Sequence, residues 1–183
     1  YRLAQGYAAG RHGDEGEELN RDFEPDWWEL NLSLSARKPA RESREASTTL
    51  GKRFLRLVTS LESVSMFQRA LQTPMKMEHP TTARPIHHCT AFGLVGGALN
   101  LGEEAVVSAY LQQSLTGLLS ACQRLMPVGQ MQAISLGWTL KPLITRIAAQ
   151  SQTTDWRTVH SFSPVLDLAG MRHANLPVRL FIS

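Results

Sequence analysis

Three adjacent residues, His87, His88 and Cys89, are the side chains best suited to chemistry in this sequence. A thiol beside an imidazole can act as a nucleophile, and His and Cys also ligate nickel and zinc. Adjacent residues at a helix start diverge by about 100°, so all three cannot face one ion without local unwinding. The simpler interpretation is a buried Cys89, one histidine capping the helix and one solvated. A metal-binding or thiol-dependent enzyme centred on this trio is kept as the alternative hypothesis.

Other catalytic groupings are missing from the sequence. It contains no phosphate-binding glycine loop between a strand and a helix, no G-x-S-x-G motif and no H-E-x-x-H motif. Carboxylates are scarce after residue 62, where the sequence has only Glu78, Glu103, Glu104, Asp155 and Asp167. Acid–base catalysis needs suitably placed titratable groups. The sequence therefore favours a protein without a catalytic site of its own.

The composition is that of an ordinary globular chain. Of its 183 residues, 43% are hydrophobic and 19% are charged, and this length predicts one domain with a real core. No apolar run approaches the roughly 20 residues of a membrane span. Both cysteines, Cys89 and Cys122, fall in helical patterns and are predicted to be buried thiols. A reducing compartment, the cytoplasm, is therefore expected.

The charge is unevenly distributed along the first third of the chain. Residues 1–30 carry eight acidic and three basic residues, whereas residues 31–60 carry seven basic and two acidic residues. The basic residues are interleaved with a helical apolar pattern, and no aromatic platform accompanies them. The sequence thus favours a solvated helix face, or one that meets an acidic partner, over a nucleic-acid site.

Apolar periodicity predicts a chain of α-helices, with irregular connections at residues 72–86 and 150–163. The longest pattern runs from Glu103 to Gln130, where leucines recur at steps of four and three and Pro127 ends the helix. A helix with so narrow a stripe needs packing partners, and we expect it to be the centre of the bundle. Further helices are predicted near residues 40–62, 64–71, 87–99, 128–150 and 164–173, with a stripe of Leu50, Phe54, Leu57 and Leu61 in the first.

Three separated stretches carry a resemblance to a known family, the urease accessory protein UreF. Residues 40–57 resemble the family's middle helix, and 109–130 resemble its long helix ending in Arg-Leu-x-Pro-x-Gly-Gln. Residues 163–183 resemble its C-terminus, an Arg-His pair followed by Arg-Leu-Phe-x-Ser. His88 and the Phe92-Gly93 pair match a further family pattern before the long helix. Three motifs in the right order make the resemblance specific.

The resemblance implies a fold and a function. UreF-like proteins are all-α bundles, here of roughly six to eight helices, and form homodimers. They are non-catalytic urease-maturation chaperones that link the GTPase UreG to UreD (UreH in some bacteria) during nickel insertion into apo-urease. The complex handles the nickel, and no tightly bound cofactor is expected. Neither nucleic acid nor a membrane is an expected partner.

The resemblance also assigns partner-binding residues by motif position. The sites are Arg172, His173, Arg179, Leu180, Phe181 and Ser183 at the C-terminus, and Arg124, Pro127, Gly129 and Gln130 at the end of the long helix. The tail 174–183 has no pattern that would order it alone and is expected to become ordered on UreD.

The N-terminal part departs from the family pattern. Nothing in residues 1–30 matches the family's opening motif, so residues 1–183 are expected to form one UreF-like helical domain without the family's first helix. The Trp27-Trp28 pair has no family counterpart, and the segment that contains it is expected to bury two faces or to present one to a partner.

Overall fold

The computed structural model describes residues 1–9, 23–72, 85–160, 163–173 and 175–176. Within these ranges every regular element is helical, which confirms the predicted all-α class. The helices are α1 (Arg2–Ala9), α2 (Phe23–Ala36), α3 (Arg41–Leu61), α4 (Ser65–Gln72), α5 (His88–Ala98), α6 (Glu103–Leu125), α7 (Gln130–Ser151) and α8 (Pro164–His173), with a 3-10 turn at Trp156–Thr158. None of the described helices is long and apolar enough to cross a membrane.

The chain divides into two compact units. One contains residues 1–100 and 160–183, and the other contains residues 101–159. The prediction of a single domain over 1–183 is not decided by this division and stays a prediction.

Helix α5 is the centre of the first unit. It packs against α1, α3 and α4, and most of its residues are buried. Its neighbours contribute Phe23, Trp27, Leu55 and Phe67, each at most 1% exposed, to the same core. Trp28 is buried as well, so α2 buries two faces, one of the two outcomes that the sequence left open. The expectation that the long helix α6 is the centre of the bundle was wrong.

Glycines allow α5 to approach its neighbours closely. A Cβ on Gly51 of α3 would lie 2.1 Å from the carbonyl oxygen of Ile86, and one on Gly97 would lie 2.6 Å from the carbonyl oxygen of Tyr1. These distances are far below van der Waals contact, so only glycine fits. The predicted close crossing at Gly51 is confirmed. The glycine-rich helix α5 is therefore packed inside the first unit.

Three of the four residues in the predicted apolar stripe of α3 do not face the core, whereas the fourth, Phe54, packs against it. Leu50, Leu57 and Leu61 are 49%, 57% and 72% exposed, whereas Gly51 and Leu55 are buried. The reason is the close crossing: α3 turns its glycine toward α5, and the leucine line then lies on the other side of the helix.

The second unit is a helical hairpin made of α6 and α7. Glu103 and Glu104 lie in the first turn of α6, where they favour the positive end of the helix dipole. At the start of α7 the side chain of Gln132 accepts a hydrogen bond from the backbone N–H of Gly129 at 3.0 Å. Only Val106, Ala133 and Ala148 are buried among the residues of these two helices. A pair of helices with so little buried surface depends on further packing.

Candidate partner-binding surfaces and a buried histidine cluster

His87 is the hub of a buried hydrogen-bond cluster that joins three helices. Its side chain is 0% exposed. The ring Nε2 lies 2.8 Å from Ser35 Oγ at the end of α2, and Nδ1 lies 3.0 Å from Ser47 Oγ in α3. The backbone N–H of His87 donates to Asn31 Oδ1 at 2.9 Å. One ring nitrogen of a neutral imidazole donates and the other accepts, and serine hydroxyls can serve both roles.

The environment of His87 keeps the ring neutral. Burial, followed by the nearby charge of Lys38, lowers the pKa of His87 to about 4. Both ring nitrogens are already hydrogen-bonded to serines. The side chain therefore acts as a neutral connector between α2 and α3 at the start of α5.

His88 and Cys89 point to different surroundings. His88 lies in an aromatic cluster, with its ring centroid 5.7 Å from that of Phe54 and 6.0 Å from that of Phe92, and burial lowers its pKa. Cys89 is a partly exposed cysteine that forms no disulfide with a described residue, and it lines a cavity of about 210 Å³ with Trp27 and Leu94. The simple interpretation of the trio is therefore corrected: both histidines are buried, and the thiol is the more exposed group.

The structure does not bring the trio together around one point. No group of three or more His, Cys, Asp or Glu side chains in the described part of the chain could hold a metal ion. The sequence could not reveal the actual partners of His87, because Ser35 and Ser47 are 52 and 40 residues away. The geometry thus offers no support for an enzyme centred on these residues.

The predicted C-terminal partner residues begin on α8, which packs on α3. His173 Nδ1 lies 2.5 Å from the carboxylate Oε2 of Glu42, and a Cβ on Gly170 would lie 3.2 Å from the Cβ of Ala40. Arg172 is exposed in the last turn of the same helix. The structure thus places Arg172 and His173 side by side, with the histidine turned toward α3. Arg179, Leu180, Phe181 and Ser183 lie outside the described residues.

The other predicted partner residues form the turn between α6 and α7. Arg124, Pro127, Gly129 and Gln130 are all exposed, and Gln130 Oε1 accepts a hydrogen bond from Gln123 Nε2 at 3.0 Å. The four residues are therefore close in space and accessible. Their role in partner binding stays a prediction.

Large exposed apolar side chains are a feature that the sequence patterns did not reveal. On α7, Met131 is 77% and Trp138 65% exposed; on α8, Val165 is 78% and Leu166 74% exposed. Such surfaces on a folded chain commonly mark protein–protein contacts.

Comparison with known proteins identifies the family. The sequence profile of UreF matches residues 2–141 of this chain, from α1 into α7. The chain belongs to the UreF family. The resemblance read from the sequence is thereby confirmed at family level. The C-terminal motif lies beyond the matched residues, so the assignments on α8 and the tail stay predictions.

Individual UreF proteins show the same similarity. The chain is 29% identical over 154 residues to the urease accessory protein UreF of Geobacillus kaustophilus, covering 84% of this chain and 64% of the relative. It is 30% identical over 155 residues to the urease accessory protein UreF of Allorhizobium ampelinum, covering 85% of this chain and 60% of the relative. The chain thus spans roughly three fifths of the length of these relatives.

Proposed function

We propose that this chain is a non-catalytic urease-maturation chaperone that links the GTPase UreG to UreD (UreH in some bacteria) for nickel insertion into apo-urease. Membership of the UreF family is the observation that carries the proposal. The exposed apolar faces on α7 and α8 support it, because an adaptor needs surfaces that only its partners cover. In this proposal nickel is the cargo of the complex, no cofactor is bound tightly, and the chain acts in the cytoplasm.

The contact with UreD is proposed to lie on α8 and the residues that follow it. Helix α8 is held on α3 by its inner side, through Gly170 and His173, and this leaves Val165, Leu166 and Arg172 outward. Exposed leucine and valine supply apolar area, and arginine supplies directional hydrogen bonds at interfaces. Helix α8 would then position the tail residues Arg179, Leu180 and Phe181 for the same partner.

A second copy of the chain is proposed to cover the exposed face of the α6–α7 hairpin. Between Glu104 and Asp155 this hairpin carries three cationic residues, Arg124, Lys141 and Arg146, and no acidic residue. Depletion of charge with exposed Trp and Met is typical of the buried centre of stable interfaces. A Trp138→Glu variant should therefore shift the chain from dimer to monomer in light scattering after gel filtration. An unchanged mass would contradict this assignment.

Co-purification tests the adaptor role. Affinity-tagged UreD and, separately, tagged UreG from the same organism are incubated with the intact chain and with a chain that ends at residue 173. The proposal expects the intact chain to be retained by both partners and the shortened chain to lose UreD while keeping its helical circular dichroism. Retention by neither partner would refute the adaptor role. Equal retention of both chains by UreD would refute the role of the tail.

A further inference from the structure

A strip on the outer side of α3 combines exposed leucines with cations that form no salt bridge with any residue the structure describes. Leu50, Leu57 and Leu61 lie on one line at steps of seven and four and are 49%, 57% and 72% exposed. Exposed Arg53 and Arg56 lie on one side of this line. We call these five residues the outer α3 strip.

Rotation of α3 about its axis cannot bury the leucines of the strip. On the opposite side of the helix, a Cβ at position 51 would lie within 2.8 Å of backbone atoms of Ile86, His87 and His88. Rotation of α3 would bring a residue with a side chain into this contact, where there is no room for it. The close crossing therefore fixes the outer α3 strip on the surface.

The charge around the strip has one sign. Lys52, Arg53 and Arg56 follow one another without a carboxylate between Lys52 and Leu61, and none of the three forms a salt bridge with a described residue. Burial, and then repulsion by Arg56, lowers the pKa of Lys52. At the other end of the helix, by contrast, Arg41 pairs with Glu45 at 2.9 Å. Among the described residues, therefore, the cations in the second half of α3 have no carboxylate paired with them, whereas Arg41 in the first half does.

We propose that the outer α3 strip binds an acidic, amphipathic helix on a protein partner, which sets leucine or similar side chains against Leu50, Leu57 and Leu61 and carboxylates against Arg53 and Arg56. The three leucines give a line of contact that a helix can cover along two to three turns. A nucleic-acid backbone would use the cations and leave the leucines without a partner. None of the five strip residues is aromatic. The ring of Phe54, which lies between Leu50 and Leu57, stacks on Phe92 and packs against the core instead of offering a platform for bases or a lipid anchor.

This inference rests on the proposed adaptor function, because it assigns a specific surface to one of the accessory partners. The test measures binding of purified UreG and of purified UreD to the intact chain by biolayer interferometry. The variants are Leu57→Asp and the double charge reversal Arg53→Glu with Arg56→Glu. The matched control is Arg41→Glu, an exposed arginine on the same helix outside the strip.

The inference expects both strip variants to weaken binding of one of the two partners at least about tenfold, as loss of a central interface residue does. Arg41→Glu should change that binding less than about twofold. The wild-type association rate should fall as salt rises from about 50 to about 300 mM, because screening weakens a charged encounter, and the double reversal should remove this dependence.

Three results would overturn the inference, and they differ from failure of the adaptor role. If the wild-type chain binds a partner and both strip variants bind it equally well, the strip is not its docking surface. If only binding to phosphatidylserine vesicles or to duplex DNA is lost in the double reversal, the occupant is a lipid or nucleic-acid surface. If the variants bind partners normally but melt several degrees lower, the strip is covered within the chain itself. Failure of the wild-type chain to bind either partner refutes the adaptor function instead.

Discussion

Replacing Gly51 by alanine should destabilise the first unit, although alanine normally stabilises a helix. In an open helix the change would gain about 1 kcal/mol. Here the new Cβ would lie 2.1 Å from the carbonyl oxygen of Ile86, 2.6 Å from the carbonyl carbon of His87 and 2.8 Å from the amide nitrogen of His88. All three are backbone atoms, so no side-chain rotation can relieve the overlap, and α3 and the start of α5 must separate by about 1 Å or more.

The separation carries two costs. Overpacking at a rigid contact costs about 1–3 kcal/mol, and the shift lengthens the 3.0 Å contact between His87 Nδ1 and Ser47 Oγ, a hydrogen bond worth about 1 kcal/mol. When the gain in helix propensity is subtracted, the free energy of unfolding falls by about 2 kcal/mol. For a chain of this size that lowers the melting temperature by about 4–8 °C.

Thermal melting followed by circular dichroism measures this effect, with Gly6→Ala as the control. Gly6 lies inside α1 of the same unit, is exposed, and has no neighbouring atom within 4 Å of the position that a Cβ would take. The control should melt at the wild-type temperature or slightly above it. If Gly51→Ala raises the melting temperature as Gly6→Ala does, the close crossing of α3 and α5 is refuted.

Two further predictions concern titratable side chains. The pKa of His87 is about 4 in the fold and about 6.5 in an unfolded chain, so the unfolded state takes up the proton first and stability is lost as pH falls from about 6.5 toward 4. The free energy of unfolding measured in urea should therefore be about 1–2 kcal/mol lower at pH 5 than at pH 7, and this difference should be smaller in His87→Gln. The same difference in that variant would contradict the assignment to His87. Glu42→Gln should weaken the contact of His173 with α3, which is worth about 0.5–1 kcal/mol for a partly exposed pair, and should make amide hydrogen exchange within residues 164–173 severalfold faster. The control is Arg41→Ala, which removes the exposed pair Arg41–Glu45 instead. Unchanged exchange in Glu42→Gln would show that packing alone holds α8 on α3.

The sequence predicted the helices better than it predicted their faces. Proline and glycine mark where helices begin and end, and the predicted span 164–173 agrees with α8, Pro164–His173. The face of α3 that carries Leu50, Leu57 and Leu61 was predicted wrongly, because apolar periodicity weighs leucines above Gly51, and of the predicted stripe only Phe54 packs against the core. In the structure Gly51 faces α5 and the leucines do not, because only a residue without a side chain permits the close crossing of the two helices.

The polar interior of the first unit could not have been predicted from local patterns. The partners of His87 come from separate segments, with Asn31 and Ser35 in α2 and Ser47 in α3. Their residue types are common and their spacing has no period, so only the folded chain shows that they meet. Membership of the family, by contrast, could be predicted from the sequence, because it rests on several motifs that occur in the family's order along the chain.

Reconstitution of the accessory complex is the most direct test of the central claim that this chain is an adaptor. UreD and UreG from the same organism are mixed with and without the intact chain and separated by gel filtration with light scattering. The account predicts one peak that contains all three proteins when the chain is present, and no peak that contains both UreD and UreG when it is omitted. Elution of the chain apart from both partners, or joint elution of UreD and UreG without it, would contradict the claim.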